Sequence, residues 1–176
     1  MLKIQTLSSG SAGNITYIGT ASTGILVDVG LPLSLTLKLM SQAKIDPHSI
    51  TGLVITHEHS DHIKGVADFV TQYDVPIYCY RNYAQILRRS LKLSPHQFIE
   101  TDSNFIIGDI TVNCFSVPHD SKFCLGYTFQ NGDSAVGIAT DIGQMTDTIL
   151  SNLATCQVIV LESNHDVQKL TTNPKY

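Results

Sequence analysis

Three histidines and a carboxylate that could bind a metal ion lie within one short stretch, residues 56–62. His57, His59 and His62 are three of the seven histidines in 176 residues, and Asp61 stands between the last two. Neutral imidazole nitrogen and carboxylate oxygen suit Zn²⁺, and also Mn²⁺ or Fe²⁺. Residues two apart in an extended backbone point to the same side, so His57 and His59 can face one ion. Histidines scattered over a surface by chance rarely cluster in this way.

The segments around this cluster predict how it is positioned. It follows a short apolar run, 53–55, typical of a buried strand, and precedes apolar residues at helical spacing that predict a helix to about residue 73. Two further candidate ligands also follow predicted strands: His119 follows 110–117, and Asp141 follows 135–140. Because loops at strand ends gather at one edge of a sheet, we expect both beside the cluster.

The composition of this ligand set distinguishes two kinds of metal site. A structural zinc site is usually a closed tetrahedron rich in cysteine. The set here contains no cysteine and offers more ligands than one ion needs. Two ions about 3.5–4 Å apart can share a hydroxide and hold the leaving oxygen of a scissile bond. The sequence therefore favours a two-metal hydrolytic site over a structural one.

The rest of the chain predicts an α/β mixture with hairpins and no regular βαβ repeat. A β-meander comes first, helices are interspersed, and strands return. Strands are predicted at residues 2–7, 15–18, 25–29, 53–55, 76–80, 97–100, 105–107, 110–117, 125–129, 135–140 and 158–161. Helices are predicted at residues 33–43, from the histidine cluster to 73, at 82–93, and from 146 to 153.

Bulk composition indicates one ordinary globular domain. The chain is 43% hydrophobic and 15% charged, and its formal net charge is −4, which neither predicts nor excludes nucleic-acid binding. The four cysteines are widely spaced and mostly apolar in context, which favours buried thiols in a reducing compartment. No stretch approaches the roughly 20 apolar residues of a membrane span, so a cytoplasmic protein without a membrane partner is expected.

The segment Thr-His-Glu-His-Ser-Asp-His at 56–62 resembles the HxHxDH signature of the metallo-β-lactamase fold. Residues 26–30, Leu-Val-Asp-Val-Gly, resemble the family's first motif, whose aspartate supports the metal-binding loop. The resemblance covers essentially the whole chain and implies an αββα sandwich with the metals at one edge between the sheets. It also implies a ligand set: His57, His59 and His119 on one ion, Asp61 and His62 on the second, and Asp141 bridging both.

Further motifs resemble the WalJ (YycJ) subfamily, which implies 5′ to 3′ exonuclease action on DNA. They are residues 7–14 (Leu-Ser-Ser-Gly-Ser-Ala-Gly-Asn), 117–120, 126–127, 139–141 and 161–166. The family's last ligand, a histidine in a Gly-His context after another helix, has no counterpart in the 176 residues. The resemblance therefore predicts a single domain over 1–176 with a truncated, incomplete second half, and a second metal bound weakly.

Two groups of residues are candidates for contact with DNA. The loop at the N-terminus offers Ser9, Gly10, Ser11 and Asn14, whose backbone N–H groups beside glycine could cradle a phosphate; an ordinary turn is the alternative. Arg88 and Lys92 lie on one face of a predicted helix, either as a track for the DNA backbone or as a solvated helix face. Separately from DNA contact, His165 and Asp166 could be a substitute pair of metal ligands.

Three functions remain open from the sequence. The first is a DNA phosphodiesterase in which two Zn²⁺ or Mn²⁺ ions, with Fe²⁺ possible, share a hydroxide and Asp61 is the catalytic residue that orients it. The second is a hydrolase of thioesters, lactones or lactams, because one fold supports many substrates. The third is an inactive remnant that binds one metal or none.

Overall fold

The computed structural model describes residues 1–162, which form two β-sheets packed face to face. His165 and Asp166 lie outside the described residues. The first sheet has six strands, in the order β1 (Lys3–Ser8), β2 (Ile15–Gly19), β3 (Gly24–Val27), β4 (Ile50–Val54), β5 (Ile77–Tyr80) and β6 (Phe98–Thr101). The second has five, β7 (Asn104–Ile107), β8 (Ile110–Ser116), β9 (Leu125–Asn131), β10 (Ser134–Ala139) and β11 (Val158–Leu161), in the spatial order β11-β10-β9-β8-β7.

The first sheet combines two connection patterns. Strands β1 to β3 form the predicted antiparallel meander, whereas β3 to β6 pair in parallel through helical crossovers. The chain thus runs as consecutive βαβ units from β3 to β6, a regularity that the predicted α/β mixture did not include. All four residues of β3 are buried. Strands covered on both faces lose the polar–apolar alternation by which strands are recognised in a sequence.

Five α-helices are described: α1 (Leu33–Gln42), α2 (Ser60–Ile63), α3 (Val66–Tyr73), α4 (Arg81–Leu91) and α5 (Asp147–Leu153). The helix predicted to run unbroken from the histidine cluster to residue 73 is divided into α2 and α3. Gly65 causes the break, because its N–H donates to the Val29 carbonyl at 2.8 Å. A Cβ atom on Gly65 would lie 2.0 Å from the Leu31 carbonyl oxygen, so the chain passes too closely for any other residue.

The core consists of two apolar clusters. The larger cluster includes residues of both sheets and of α1, α3 and α4, and a smaller one, which includes Phe115, Ala139, Ile149 and Leu153, lies between the second sheet and α5. Together with α1, α3 and α4 packed on the first sheet, this gives the αββα arrangement that the resemblance implied. Thr146 caps α5, its hydroxyl accepting from the Ile149 N–H at 3.3 Å.

Strand β11 forms one edge of the second sheet. Its side chains Val158, Ile159 and Leu161 are each more than 40% exposed. Strand β11 is also the last element in the part of the chain that the structure describes, and the prediction of an incomplete second half refers to this edge of the sheet. All four cysteines are free thiols, three of them buried. Within residues 1–162, no helix has the length and apolar character needed to cross a bilayer.

Replacing Tyr127 with phenylalanine is expected to lower the free energy of unfolding by about 1–2 kcal/mol. The buried Tyr127 hydroxyl donates to the carbonyl of Ile55 at 2.8 Å and so joins the second sheet to the segment that enters the histidine cluster. The variant leaves that buried carbonyl without its partner. Urea denaturation measures the change. Tyr78→Phe is the matched control, because no hydrogen bond of the Tyr78 hydroxyl occurs among the described residues, and it should change stability far less.

Candidate metal centre

The predicted ligands meet at the ends of three strands, one from the first sheet and two from the second. His57 and His59 lie in the segment between β4 and α2, and Asp61 and His62 lie in α2. His119 lies in the loop between β8 and β9, and Asp141 in the loop between β10 and α5. The structure thus brings together all six residues that the sequence predicted as ligands: His57, His59, Asp61, His62, His119 and Asp141.

His57, His59 and His119 form the first group that could hold an ion. One nitrogen from each of these histidines lies within 4.8 Å of the others, and His119 Nε2 is 3.2 Å from His59 Nδ1. His57 is fully buried, and its Nε2 has no hydrogen-bond partner among the described residues. A buried nitrogen without a partner is costly unless it binds something. The donor set therefore fits a divalent cation.

His57, His62 and Asp141 form a second group with the same spacing. His62 Nε2 lies 3.1 Å from Asp141 Oδ2 and 3.6 Å from Asp61 Oδ2. Asp61 belongs to neither three-residue group found in residues 1–162. The carboxylates of Asp61 and Asp141 are 29% and 26% exposed, so both face the solvent side of the centre, whereas the His62 side chain is fully buried.

The Asp28 carboxylate holds both Thr56, which precedes His57, and His62 in α2. Its carboxylate accepts from the Thr56 N–H and the Thr56 hydroxyl, each at 2.8 Å, and from His62 Nδ1 at 2.8 Å. The last contact fixes the ring, because Nδ1 is occupied and Nε2 is the nitrogen left for a cation. This is the role that the resemblance implied for the first-motif aspartate. Asp28 has a φ of 61°, a left-handed conformation that aspartate tolerates better than most residues.

The electrostatics favour positive charge at the centre. Burial lowers the pKa of His57 to about 4, so this ring is neutral, as a metal ligand must be. Burial also opposes charge on His62, but Asp28 and Asp141 outweigh it and raise the His62 pKa to about 10. Burial likewise disfavours the Asp141 carboxylate, yet the hydrogen bond and charge of His62 lower its pKa to about 2. A divalent cation would supply the positive charge that these carboxylates stabilise.

Backbone contacts hold the ligand loops against one another. The Gly143 N–H donates to the Pro118 carbonyl at 2.7 Å, which joins the Asp141 loop to the His119 loop. Asp141 itself has a φ of 54°, the same left-handed region that Asp28 adopts. Glu162 accepts from the Ile142 N–H at 3.0 Å and so holds the residue that follows Asp141.

A cavity of about 340 Å³ opens beside the second group. Its walls combine the small-residue loop with carboxylates and the end of β11. They are Ser9, Gly10, Ser11, Asn14, Asp61, Thr140, Asp141, Val160, Leu161 and Glu162. All four residues of the N-terminal loop that the sequence singled out therefore face the space next to the predicted metal ligands. The volume lies within the usual range of small-molecule sites.

The structure does not bring the basic helix face to this cavity. Arg88 pairs with Glu100 at 2.7 Å, and its guanidinium lies 5.5 Å from the centre of the Phe98 ring. Lys92 is exposed just after the end of α4. Neither residue lines the cavity. A DNA track on this face stays a prediction, and Arg88 would have to leave Glu100 to contact a phosphate.

Three site residues have no role in the sequence-based prediction. They are Thr56, which donates to Asp28; Thr140, whose buried hydroxyl has no partner among the described residues; and Glu162. Glu162 falls in a motif that resembles the subfamily, but the motif carried no chemical role. Threonines next to ligands give no signal of their own, because their type is common and their function depends on tertiary contact.

Gly30→Ala is expected to lower the free energy of unfolding by about 3 kcal/mol. A Cβ atom on Gly30 would lie 1.7 Å from the Asp61 carbonyl oxygen and 2.6 Å from the Asn14 nitrogen, so the backbone carrying Asp61 must shift. Thermal and urea denaturation measure the loss. Gly132→Ala is the control, because its Cβ would meet nothing within 4 Å and only its left-handed φ of 57° is strained, at about 1–2 kcal/mol. An equal loss in both variants would contradict the clash.

Comparison with known proteins places this geometry in a family. Residues 23–171 match the family described as Beta-lactamase superfamily domain. The chain is 35% identical over 177 residues to the exodeoxyribonuclease YycJ of Bacillus anthracis and 31% identical over 173 residues to the exodeoxyribonuclease WalJ of Streptococcus pneumoniae. Each match covers 96% of the chain but only 65% and 64% of the relatives, so the chain spans just under two thirds of their length.

A solved structure carries the same fold at low sequence identity. The metallo-β-lactamase fold protein YhfI from Bacillus subtilis superposes with a TM-score of 0.74 at 15% identity, covering 94% of this chain and 72% of that one. The superposition confirms the fold class, with its two sheets and outer helices. The chain therefore belongs to the β-lactamase superfamily domain family and has the metallo-β-lactamase fold.

Proposed function

We propose that the chain is a metal-dependent phosphodiesterase that removes nucleotides from DNA in the 5′ to 3′ direction. The observation that carries the proposal is the meeting of two groups of ligand atoms, sharing His57, beside a polar cavity. The names of the YycJ and WalJ relatives support DNA as the substrate, and the 5′ to 3′ polarity comes from the resemblance in the sequence motifs.

The proposed ligand set is the one that the resemblance implies, and it differs from the second group by having Asp61 in place of His57. His57, His59 and His119 would hold one Zn²⁺ or Mn²⁺ ion, Asp61 and His62 the second, and Asp141 would contribute to both. Fe²⁺ also suits this mixture of imidazole and carboxylate. When bound, the ions would polarise the phosphodiester and stabilise the charge that develops on its oxygens.

The chain's own groups would position the reacting partners. The Asp61 carboxylate lines the cavity and is partly exposed, so it can accept a hydrogen bond from an attacking water and orient it. Ser9, Gly10 and Ser11 also line the cavity, and the backbone N–H groups of Ser9 and Ser11 would receive a phosphate there. Asp28 keeps His62 in the tautomer with Nε2 facing the centre. A cytoplasmic location fits a DNA substrate and the free thiols.

Purified protein incubated with Mn²⁺ and 5′-phosphorylated duplex DNA tests the proposal. We expect release of mononucleotides that stops on addition of a chelator, and two metal equivalents per chain by elemental analysis. A thioester and a lactam are assayed in parallel under the same conditions. Hydrolysis of the thioester or the lactam without cleavage of DNA would indicate that the chain acts on a different substrate. A chain that binds no metal would contradict both enzymatic functions, the DNA phosphodiesterase and the hydrolase of thioesters, lactones or lactams.

A further inference from the structure

Asn14 is held tightly against the segment that carries Asp61. Its backbone N–H donates to the Asp61 carbonyl at 2.8 Å, and its carbonyl accepts from the Gly30 N–H at 3.0 Å. A Cβ atom on Gly13 would lie 2.6 Å from the Gly30 carbonyl oxygen, so these backbones approach as closely as glycine allows. The position of Asn14 relative to Asp61 is therefore fixed by the main chain.

The hydrogen bonds of its side chain determine which way the Asn14 amide points. Asn14 Oδ1 accepts from the Gly10 N–H at 2.9 Å. A backbone N–H can only donate, so the oxygen must face Gly10 and the amide nitrogen must face the opposite side. There Asn14 Nδ2 lies 3.1 Å from His62 Nε2, 3.4 Å from Asp61 Oδ2 and 3.5 Å from the Asp61 carbonyl oxygen.

We infer that Asn14 is a positioning residue for the Asp61 carboxylate. This inference rests on the proposed two-metal function, and it reassigns a residue that the sequence placed among the DNA contacts. The Asp61 side chain is 29% exposed and would otherwise sample several rotamers. A donor at Oδ2 restricts it, and partners of this kind around metal ligands commonly change metal affinity about 10- to 100-fold.

The same amide joins the N-terminal loop to the metal centre. One end of it caps Gly10 in the loop, and the other end restrains Asp61. Binding of an ion by Asp61 should therefore order the loop that lines the cavity, and ordering of the loop should in turn favour the ion, since coupling between two sites is reciprocal. Asn14 is the side chain through which the two would be linked.

Titration of the 176-residue protein with Mn²⁺ by calorimetry tests the inference. In Asn14→Ala, the second equivalent is expected to bind roughly 10- to 100-fold more weakly, with the first unchanged. Ser8→Ala is the matched control. Its hydroxyl donates to the Gly13 carbonyl, so its loss perturbs the same loop without a contact to Asp61. Equal weakening in both variants, or none in Asn14→Ala, would overturn the positioning role.

A second measurement needs no metal. In metal-free protein, the side-chain amide signals of Asn14 in NMR spectra are expected to shift when Asp61 is changed to alanine, because Nδ2 loses its carboxylate acceptor. Unchanged signals would overturn the inference even if the chain bound fewer than two ions. If the chain bound fewer than two ions but the Asn14 signals shifted, the result would contradict the proposed two-metal centre and would still support the Asn14–Asp61 contact.

Discussion

Replacing Asp141 with asparagine is expected to reduce the proposed metal-dependent cleavage of DNA by roughly 100- to 1,000-fold, the loss typical of removing one electrostatic group from a catalytic centre. Asparagine keeps the shape of the side chain but removes its charge. Asp141 Oδ2 lies 3.1 Å from His62 Nε2, and His62 keeps the Asp141 pKa at about 2 although burial opposes the charge. The site thus holds a carboxylate ionised where a cation would need it.

Two measurements check this prediction together. Single-turnover cleavage of 5′-phosphorylated DNA gives the rate, and elemental analysis gives the metal content of the same preparation. Asp133→Asn is the control, because Asp133 is exposed in the turn between β9 and β10, away from the ligand loops. Full activity and two bound ions in Asp141→Asn would contradict its proposed contribution to both metal positions.

The meeting of the six candidate ligands could be predicted from the sequence because they lie in local motifs at strand ends. Four of the six fall within residues 57–62, where two-residue spacing and the start of a helix already bring them together. His119 and Asp141 were found because each follows a strand pattern, and strand ends gather at one edge. The sequence did not reveal the contacts that depend on close backbone approach, such as Gly65 against Leu31, which divides the predicted helix.

The residues that would contact the substrate were harder to predict, because basic side chains and runs of small residues occur in proteins for many reasons. The basic face of α4 has the spacing of a phosphate track, yet Arg88 is held by Glu100 and Phe98. Nothing in the local pattern indicates that partner, because Glu100 lies on a strand that reaches the helix only in the folded chain. Conversely, the N-terminal loop could have been an ordinary turn, and it is the tertiary packing of Asn14 on Asp61 that places it beside the ligands.

Asp28→Asn is expected to lower the free energy of unfolding by about 3 kcal/mol, near the lower end of the loss seen when one partner of a buried pair is removed. Asp28 is 3% exposed and accepts three hydrogen bonds, two from Thr56 and one from His62. Asparagine presents an amide NH₂ to one of these donors, which leaves a buried group without an acceptor. His62 also loses the charge that holds its Nδ1 proton.

Asparagine is the informative substitution here because of the backbone. Asp28 has a φ of 61°, and asparagine tolerates this conformation about as well as aspartate, so the variant isolates the side-chain effect. Asp28→Ala adds left-handed strain and should lose roughly 1–2 kcal/mol more. Urea denaturation in the presence of a chelator measures stability without a contribution from bound metal.

Asp74→Asn provides the matched control for this experiment. Asp74 also has a left-handed conformation, with a φ of 51°, but it is exposed after α3. A surface substitution of this kind should stay within about 0.5 kcal/mol of the parent protein. If Asp28→Asn were equally harmless, the hydrogen bonds to Thr56 and His62 would not hold the histidine segment in place, and the orientation of His62 would need another cause.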